Sequence, residues 1–451
     1  MSKDHLPTNC FAVVCAMLLG TLIFGDVLWA NPSRVVDFSL GGRHACALFD
    51  NSNIKCWGRN DFGQLGLGDT MRRGDDPLEM GSNLPYVFLG LDFNVVSIQA
   101  GSGHTCAIND EGGIKCWGDN FYGQLGRRDF LKIGDDANET GDGIPYLDFS
   151  DEFQTDGKIL KFVVGHRHNC ALFKSGRVKC FGYNSAGTLG IEMKDQKILK
   201  HLSTFVNFPR KVSNVFVDDF RTCLLDELNE LYCFGVNSYG SGGQEKTGPI
   251  GWKLGDISNL KPIKLGTSAK VVDVSGETFH TCVSFENELP KCFGRGINGE
   301  LGIGSTVPVG RKIGDMGKFL VPVQFPNFSG FHVSGGLGHN CGLDSNMGQV
   351  FCWGIGSQGQ LGLGSKSSLG GLPGDIQRPL TPVSIGVDEF VLKIETAIDS
   401  SCALLRGPDN VHDLKIKCWG SNIFGQLGQG HISSIGDDPM EMGENLRYIE
   451  F

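Results

Sequence analysis

One motif, returning about every sixty residues, constrains this chain more than any other feature. HACALFDNSNIKCWGRNDFGQLG begins at His44 and HTCAINDEGGIKCWGDNFYGQLG at His104. HNCALFKSGRVKCFGYNSAGTLG follows from His168, and a worn copy, RTCLLDELNELYCFGVNSYGSGG, from Arg221. HTCVSFENELPKCFGRGINGELG starts at His280 and HNCGLDSNMGQVFCWGIGSQGQLG at His339. A seventh copy, SSCALL…KIKCWGSNIFGQLG, starts at Ser400. The steps between leading cysteines are 60, 64, 53, 59, 59 and 61 residues. Val35 to Phe451 holds 417 residues, which divides into seven units with almost nothing left for a linker or second domain. A unit this short cannot bury its own apolar face, so its neighbours must stack on it.

Within a unit the pattern is that of short strands. A β-branched stretch (VVDFSLG from Val35, VVSIQAG from Val95, VVDVSGE from Val271) precedes each leading Cys by about eleven residues. Then come CAL, a polar turn and IKCWG or VKCFG, which is a hairpin pattern. A Gly-rich turn follows, and most units close on a segment like NLPYVFLG from Asn83; the final NLRYIEF matches it. The 66 Gly and only 20% charged residues fit turn-rich β structure and oppose a helical bundle. The expected fold is all-β: a single seven-bladed β-propeller with one four-stranded blade per unit. Its repeats run approximately 35–94, 95–158, 159–211, 212–269, 270–329, 330–390 and 391–451. Ring closure is expected to bring the last segment beside Val35. A formal charge of −10 gives no electrostatic drive towards nucleic acid.

Residues 1–30 have the layout of a secretory signal: Lys3, the apolar run CFAVVCAMLLGTLIFG from Cys10, and Ala30 at the cut. Leu28 is large for its position, and a run near twenty residues also fits an uncleaved signal anchor. Either way the remainder is expected outside the cytosol, with membrane attachment only if the segment is retained.

The run HTCAL…G.IKCWG.N..GQLG resembles the regulator-of-chromosome-condensation repeat, over essentially the whole chain beyond the signal. That resemblance implies a seven-bladed propeller. Similar repeats occur in alpha-tubulin-suppressor-like proteins and in secreted microbial propellers. Nuclear members of the family exchange nucleotide on a small GTPase, whereas others are binding modules, so the fold leaves function open.

Fourteen of sixteen cysteines form one pair per unit: Cys46 and Cys56, Cys106 and Cys116, Cys170 and Cys180, Cys223 and Cys233, Cys282 and Cys292, Cys341 and Cys352, Cys402 and Cys418. Five pairs are ten apart across the turn, which sets them opposite each other on one face of a hairpin. The last pair has six extra residues in its turn, an even number that keeps the facing. The pair at Cys341 and Cys352 is eleven apart and predicts a bulge or a different turn. Free buried thiols and zinc are the alternatives, but no close Cys knuckle is present. Complete pairing behind an export signal favours seven disulfides, and opposes a nuclear location.

His44, His104, His168, His280 and His339 recur two residues before the leading Cys. They suit blade packing better than a metal ring, because Arg221 and Ser400 replace them in two units. Trp57, Trp117, Trp353 and Trp419, with Phe181, Phe234 and Phe293, are packing aromatics at one register. The acidic loops RGDDPLEMG, IGDDANETG and IGDDPMEMG bring Asp75, Asp76 and Glu79 and their counterparts to one rim. They lack the alternating carboxylates of a calcium loop and read as solvated turns. GIGSQG and GRGING match G-x-G-x-x-G outside any strand–turn–helix context and carry no nucleotide site. No catalytic, cofactor or metal residues are expected. Asn138 and Asn327 begin glycosylation sequons.

Units three and four depart most from the repeat. Lys194, Lys197, Lys200, Arg210 and Lys211 form a basic stretch, and Trp252 sits in a loop, together a candidate partner-binding rim. The function expected is an exported, disulfide-stapled, monomeric, non-enzymatic scaffold for recognition of an unidentified protein partner. The rival is guanine-nucleotide exchange on a small GTPase.

Overall fold

The computed structural model describes residues 33–191, 198–199, 205–323, 331–377, 380–407 and 413–451. The expected signal segment (residues 1–30), Lys194, Lys197, Lys200 and Asn327 therefore lie outside the described residues. Within the described residues the fold is all-β, with two short α-helices (Ser150–Thr155 and Pro373–Gln377) and four single-turn 3₁₀ helices. No described helix is long and apolar enough to cross a membrane.

Each copy of the motif folds into a three-stranded antiparallel meander. In the first unit the strands are Val35–Leu40, His44–Phe49 and Ile54–Gly58. The first strands of the later units are Val95–Ala100, Ile159–Val164, Val212–Val217, Val271–Glu277, Phe331–Gly335 and Phe390–Thr396. Second and third strands are buried along almost their whole length, because each is covered by the units on either side. The first strands instead face a shared cavity of about 570 Å³, lined from six units by residues such as Asp37, Ser97, Lys161, Val215, Asp273 and Lys393. Such a strand buries one face and leaves polar side chains on the other.

The expected fourth strand does not form a regular ladder. In the first unit its place is held by an isolated bridge between Gly58 and Arg73 and one bond from Val87 N to Ile54 O (2.8 Å). In the second, Tyr146 bridges to Lys115 and Leu147 N donates to Ile114 O. Pro85 and Pro145 each remove one N–H from these segments, but the seventh unit, with Arg447 in that place, likewise makes only the bond from Ile449 N to Ile416 O. Among the described residues only the third unit has a fourth strand, the two residues Ile198–Leu199 against Tyr183 and Gly182.

The first and last meanders share one six-stranded sheet, joined where Val35 pairs with Leu414. The same kinds of contact link this pair as link consecutive units. Gly141 N donates to Phe88 O, Gly317 N to Lys264 O, Gly443 N to Ser384 O, and Gly81 N to Glu450 O. Phe451 stacks edge-on against Phe49 and Trp57 of the first unit, with centroids 5.3 and 5.5 Å apart.

The Gly-rich turn is a packing device. Gly63 has φ +76°, and a Cβ there would collide with the backbone nitrogen of Asp135 in the next unit. Buried Asn60 holds the same turn: its Oδ1 accepts from Leu65 N (3.0 Å) and its Nδ2 donates to Asp69 O (2.8 Å).

Candidate functional site

The cysteines meet in register in every unit, with Cα–Cα distances of 4.0–4.1 Å across seven disulfides. That spacing is the close approach of a non-hydrogen-bonded cross-strand pair. The odd pair resolves as a different turn. Asp344 pairs with Gln349, so the extra residue sits in a four-residue connection and the register stays unbroken from Cys341–Cys352 onward. A bulge occurs instead in the fifth unit, between Val283 and Phe285.

The five histidines are buried and tie each unit to the next. Nε2 of His44, His104, His168, His280 and His339 lies 2.8–3.0 Å from Thr105 Oγ1, Asn169 Oδ1, Thr222 Oγ1, Asn340 Oδ1 and Ser401 Oγ. Each partner also donates back to a turn carbonyl of the histidine's own unit, for example Thr105 Oγ1 to Gln64 O and Asn169 Nδ2 to Gln124 O. The hydroxyl protons are thus committed and an amide Oδ1 can only accept, so each imidazole donates from Nε2, while its buried Nδ1 has no partner among the described residues. Burial lowers the pKa of His44, His168 and His339 to about 3, and of His104 and His280 to about 4. The tryptophans use the same carbonyls: Trp117 Nε1 donates to Gln64 O, Trp353 to Glu300 O, Trp419 to Gln360 O and Trp57 to Gln426 O, all at 2.9–3.0 Å.

Arg221 replaces the histidine in the fourth unit and also crosses a junction. It donates to Glu277 O (2.7 Å), His280 O (2.8 Å) and Thr278 O (3.1 Å), and pairs with Asp218. Burial raises Asp218 to about 6. Burial, then the neighbouring Asp219, Asp218 and Asp399, raises Glu277.

The repeated lysine before the second Cys escaped the sequence reading. Lys115 is 2% exposed, and its ammonium donates to Leu89 O (2.7 Å) and Gly141 O (3.1 Å), facing the Tyr146 ring at 4.8 Å. Lys55, Lys291 and Lys417 repeat the arrangement on Gly81 O, Leu265 O and Ile385 O. Recurrence at one register was the available signal.

The acidic loops spend their last carboxylate on their own backbone. Glu79 Oε2 accepts from Gly74 N and Asp76 N, Glu139 Oε2 from Gly134 N, and Glu441 Oε2 from Gly436 N, Asp437 N and Asp438 N, all at 2.8–3.1 Å. The neighbouring residues carry exposed apolar tips: Leu78 is 84% exposed and Met440 77%. The matching loops of units four and five expose Leu254 and Ile313 at 88% and 90%.

Of the expected rim, the described members Trp252, Arg210 and Lys211 sit at two ends of the fourth unit. Trp252 follows Ile250, which bridges Gly235 opposite Arg221, whereas Arg210 and Lys211 precede Val212, which pairs with Asp226 at the other end of the strand. Arg210 is already engaged by Asp226 (2.9 Å) and Glu230. Trp252 is half-buried and stands in the loop beside exposed Leu254. Among the described residues no group of three or more His, Cys, Asp or Glu is placed to hold a metal ion.

Repeated β-meanders, stapled internally and relayed to one another around a shared cavity, define a repeat propeller. The sequence matches the RCC1-like domain over residues 25–403, and the chain belongs to that family. It is 29% identical over 280 residues to the ultraviolet-B receptor UVR8 of Arabidopsis thaliana, covering 61% of this chain and 56% of the receptor. It is 30% identical over 223 residues to the human probable E3 ubiquitin-protein ligase HERC4, covering 48% of this chain and 18% of the ligase. The chain thus spans about half the length of the first relative and under a fifth of the second. Among solved structures it is similar to Prp20p of Saccharomyces cerevisiae, with a TM-score of 0.63 at 20% identity, covering 81% and 80% of the two chains. Human WBSCR16 also gives 0.63, at 18% identity and 88% and 94% coverage. At these identities the structural likeness speaks for the fold alone.

Proposed function

We propose that the chain is an exported, seven-bladed propeller that recognises a protein partner and performs no catalysis. The observation that carries this reading is the disulfide in every one of the seven described meanders. Complete cross-strand pairing suits an oxidising compartment and would be lost in a reducing one. The histidines, lysines and loop carboxylates that could have served chemistry are spent on holding units together or capping their own turns. The recognition face is the end bearing Leu78, Leu254, Ile313 and Met440, where exposed apolar side chains rise from acid-capped loops. Trp252 belongs to that end.

Exchange on a small GTPase gains nothing from the fold likeness to Prp20p, and the cysteines oppose a nuclear site. The test is expression of the full chain through a secretory host, with alkylatable thiols counted by intact mass before and after reduction. Fourteen thiols appearing only on reduction of a secreted, trimmed product are expected. Free thiols in a natively folded, untrimmed chain would overturn the reading.

A further inference from the structure

The junctions between units are alike enough that a departure at one of them stands out. After the closing segment of the first unit, Gly90, Leu91, Asp92 and Phe93 lead into the next first strand. Gly386, Val387, Asp388 and Glu389 hold the same places in the sixth unit. Both glycines have positive φ, +108° and +149°, and both approach the lysine of the following unit, Lys115 and Lys417. Phe93 is 6% exposed and meets Lys115 through its ring, 5.3 Å away. It needs no polar partner. Glu389 puts a carboxylate where the repeat has that ring.

This carboxylate is only half used. Its side chain is 5% exposed. Oε1 takes the Tyr448 hydroxyl and lies 3.1 Å from Lys417 Nζ. Lys417 itself also donates to Ile385 O at 2.7 Å. Oε2 is buried and has no hydrogen-bond partner among the described residues. A buried carboxylate oxygen without a partner keeps its desolvation cost, which a donor arriving from outside would recover. Glu389 lines a groove of about 750 Å³ that runs between the sixth, seventh and first units. Glu444 and Glu450 line it too, against Lys417 and Arg447, so three acids face two bases. Exposed Leu78 (84%) and Val387 (69%) form apolar lips.

We infer that this groove is a binding site for a cationic side chain, an arginine or lysine carried by the partner protein with apolar residues beside it. The charged head reaches Glu389 on the groove floor, and the flanking residues rest on Leu78 and Val387. A long side chain with an apolar stem and a charged end matches a groove built of apolar lips over a buried acid. Glu444 is engaged by Val387 N at 2.6 Å and so shapes the lip while adding charge. The inference rests on the protein-recognition reading and gives it a location and a partner chemistry.

The probe is N-acetyl-arginine methylamide, with its citrulline counterpart as the uncharged isostere, titrated against the full secreted chain by ligand-observed NMR. Saturable binding of the arginine probe in the millimolar range is expected, at least tenfold tighter than citrulline. Glu389→Gln should weaken the arginine probe at least tenfold and leave citrulline unchanged. Val387→Arg, on an exposed lip where folding is not at stake, should weaken it at least fivefold by like-charge repulsion. No binding up to 20 mM (a concentration of about that order is ample for so small a ligand), or equal binding of the two probes, would overturn the site. So would an arginine affinity indifferent to both substitutions. Thiol counts on the same samples separate this failure from that of the scaffold reading: paired cysteines with no arginine binding dismiss the groove alone.

Discussion

At the residue scale the same side chains that were legible as a repeat turn out to be junction hardware. The histidines show how a sequence pattern and a physical role can be matched: their recurrence with two exceptions favoured packing over a metal ring, and each is bonded across a junction. Their neutral state makes acid a threat. Each is held at about 3 to 4 in the folded chain against 6.5 unfolded, so the unfolded state takes up protons first as pH falls. Their stabilisation is complete above pH 6.5 and drains away below it down to the folded values, by about 1.4 kcal/mol per pH unit and group. Asp218, raised to about 6, and Glu277, also raised, act in the opposite sense over part of that range. Five histidines outweigh them. The melting temperature should fall between pH 7.5 and 4.5, and His339→Gln should fall less steeply than the parent. A flat profile for the parent would contradict the neutral relay. The buried lysines were not legible for a simple reason: a lysine in a strand is read as an exposed residue, and only backbone carbonyls distant in the chain, from its own unit or the preceding one, make its burial tolerable.

At the element scale the hairpin was readable and the fourth strand was not. Cysteine spacing fixed facing because side chains alternate along a strand, so ten residues with a central turn puts two sulfurs on one face. The closing segment, such as NLPYVFLG, carries the apolar residues of a strand, and Leu84 and Val87 are indeed buried. It still makes only one bond to the third strand, with proline at its start (Pro85) or with Arg447 there. Burial and hydrogen bonding are separate requirements, and apolar pattern reports only the first. The disulfides staple the second strand of each unit to the third. Closing loops of 10 to 16 residues contributes about 2–3 kcal/mol each in the chain-entropy model. The double substitution Cys46→Ala with Cys56→Ala should therefore lower the melting temperature clearly under non-reducing conditions, while the other six pairs still resist alkylation. An unchanged melting temperature would mean that the neighbouring units alone fix the hairpin.

At the scale of the whole molecule the weak point is where the first and last units meet. Six junctions are crossed by a histidine or arginine reaching the next unit: His44, His104, His168, Arg221, His280 and His339. At the seventh both partners are missing together, with Ser400 in the histidine position and Ala45 where the next unit would offer Thr, Asn or Ser. What holds this junction is the tryptophan contact the others also use, together with a set of its own. Lys393 donates to Asp37 Oδ1 and Phe38 O, both at 2.7 Å, and Leu40 N donates to Glu395 Oε2 at 2.7 Å. Trp57 reaches Gln426 O at 3.0 Å, and Phe451 covers the outside. The paired loss has a testable energetic meaning. Ser400→His alone buries an imidazole with no partner, and Ala45→Thr alone buries a hydroxyl that has only the Gln426 carbonyl to meet. Together they rebuild the contact seen at His44 and Thr105. A double-mutant cycle read by thermal or chemical unfolding should give a favourable coupling of about 1–2 kcal/mol, with the double variant more stable than the sum of the singles predicts. Strict additivity would mean that the two positions do not face each other across the junction, and that the chain is not closed there in the way its other junctions are.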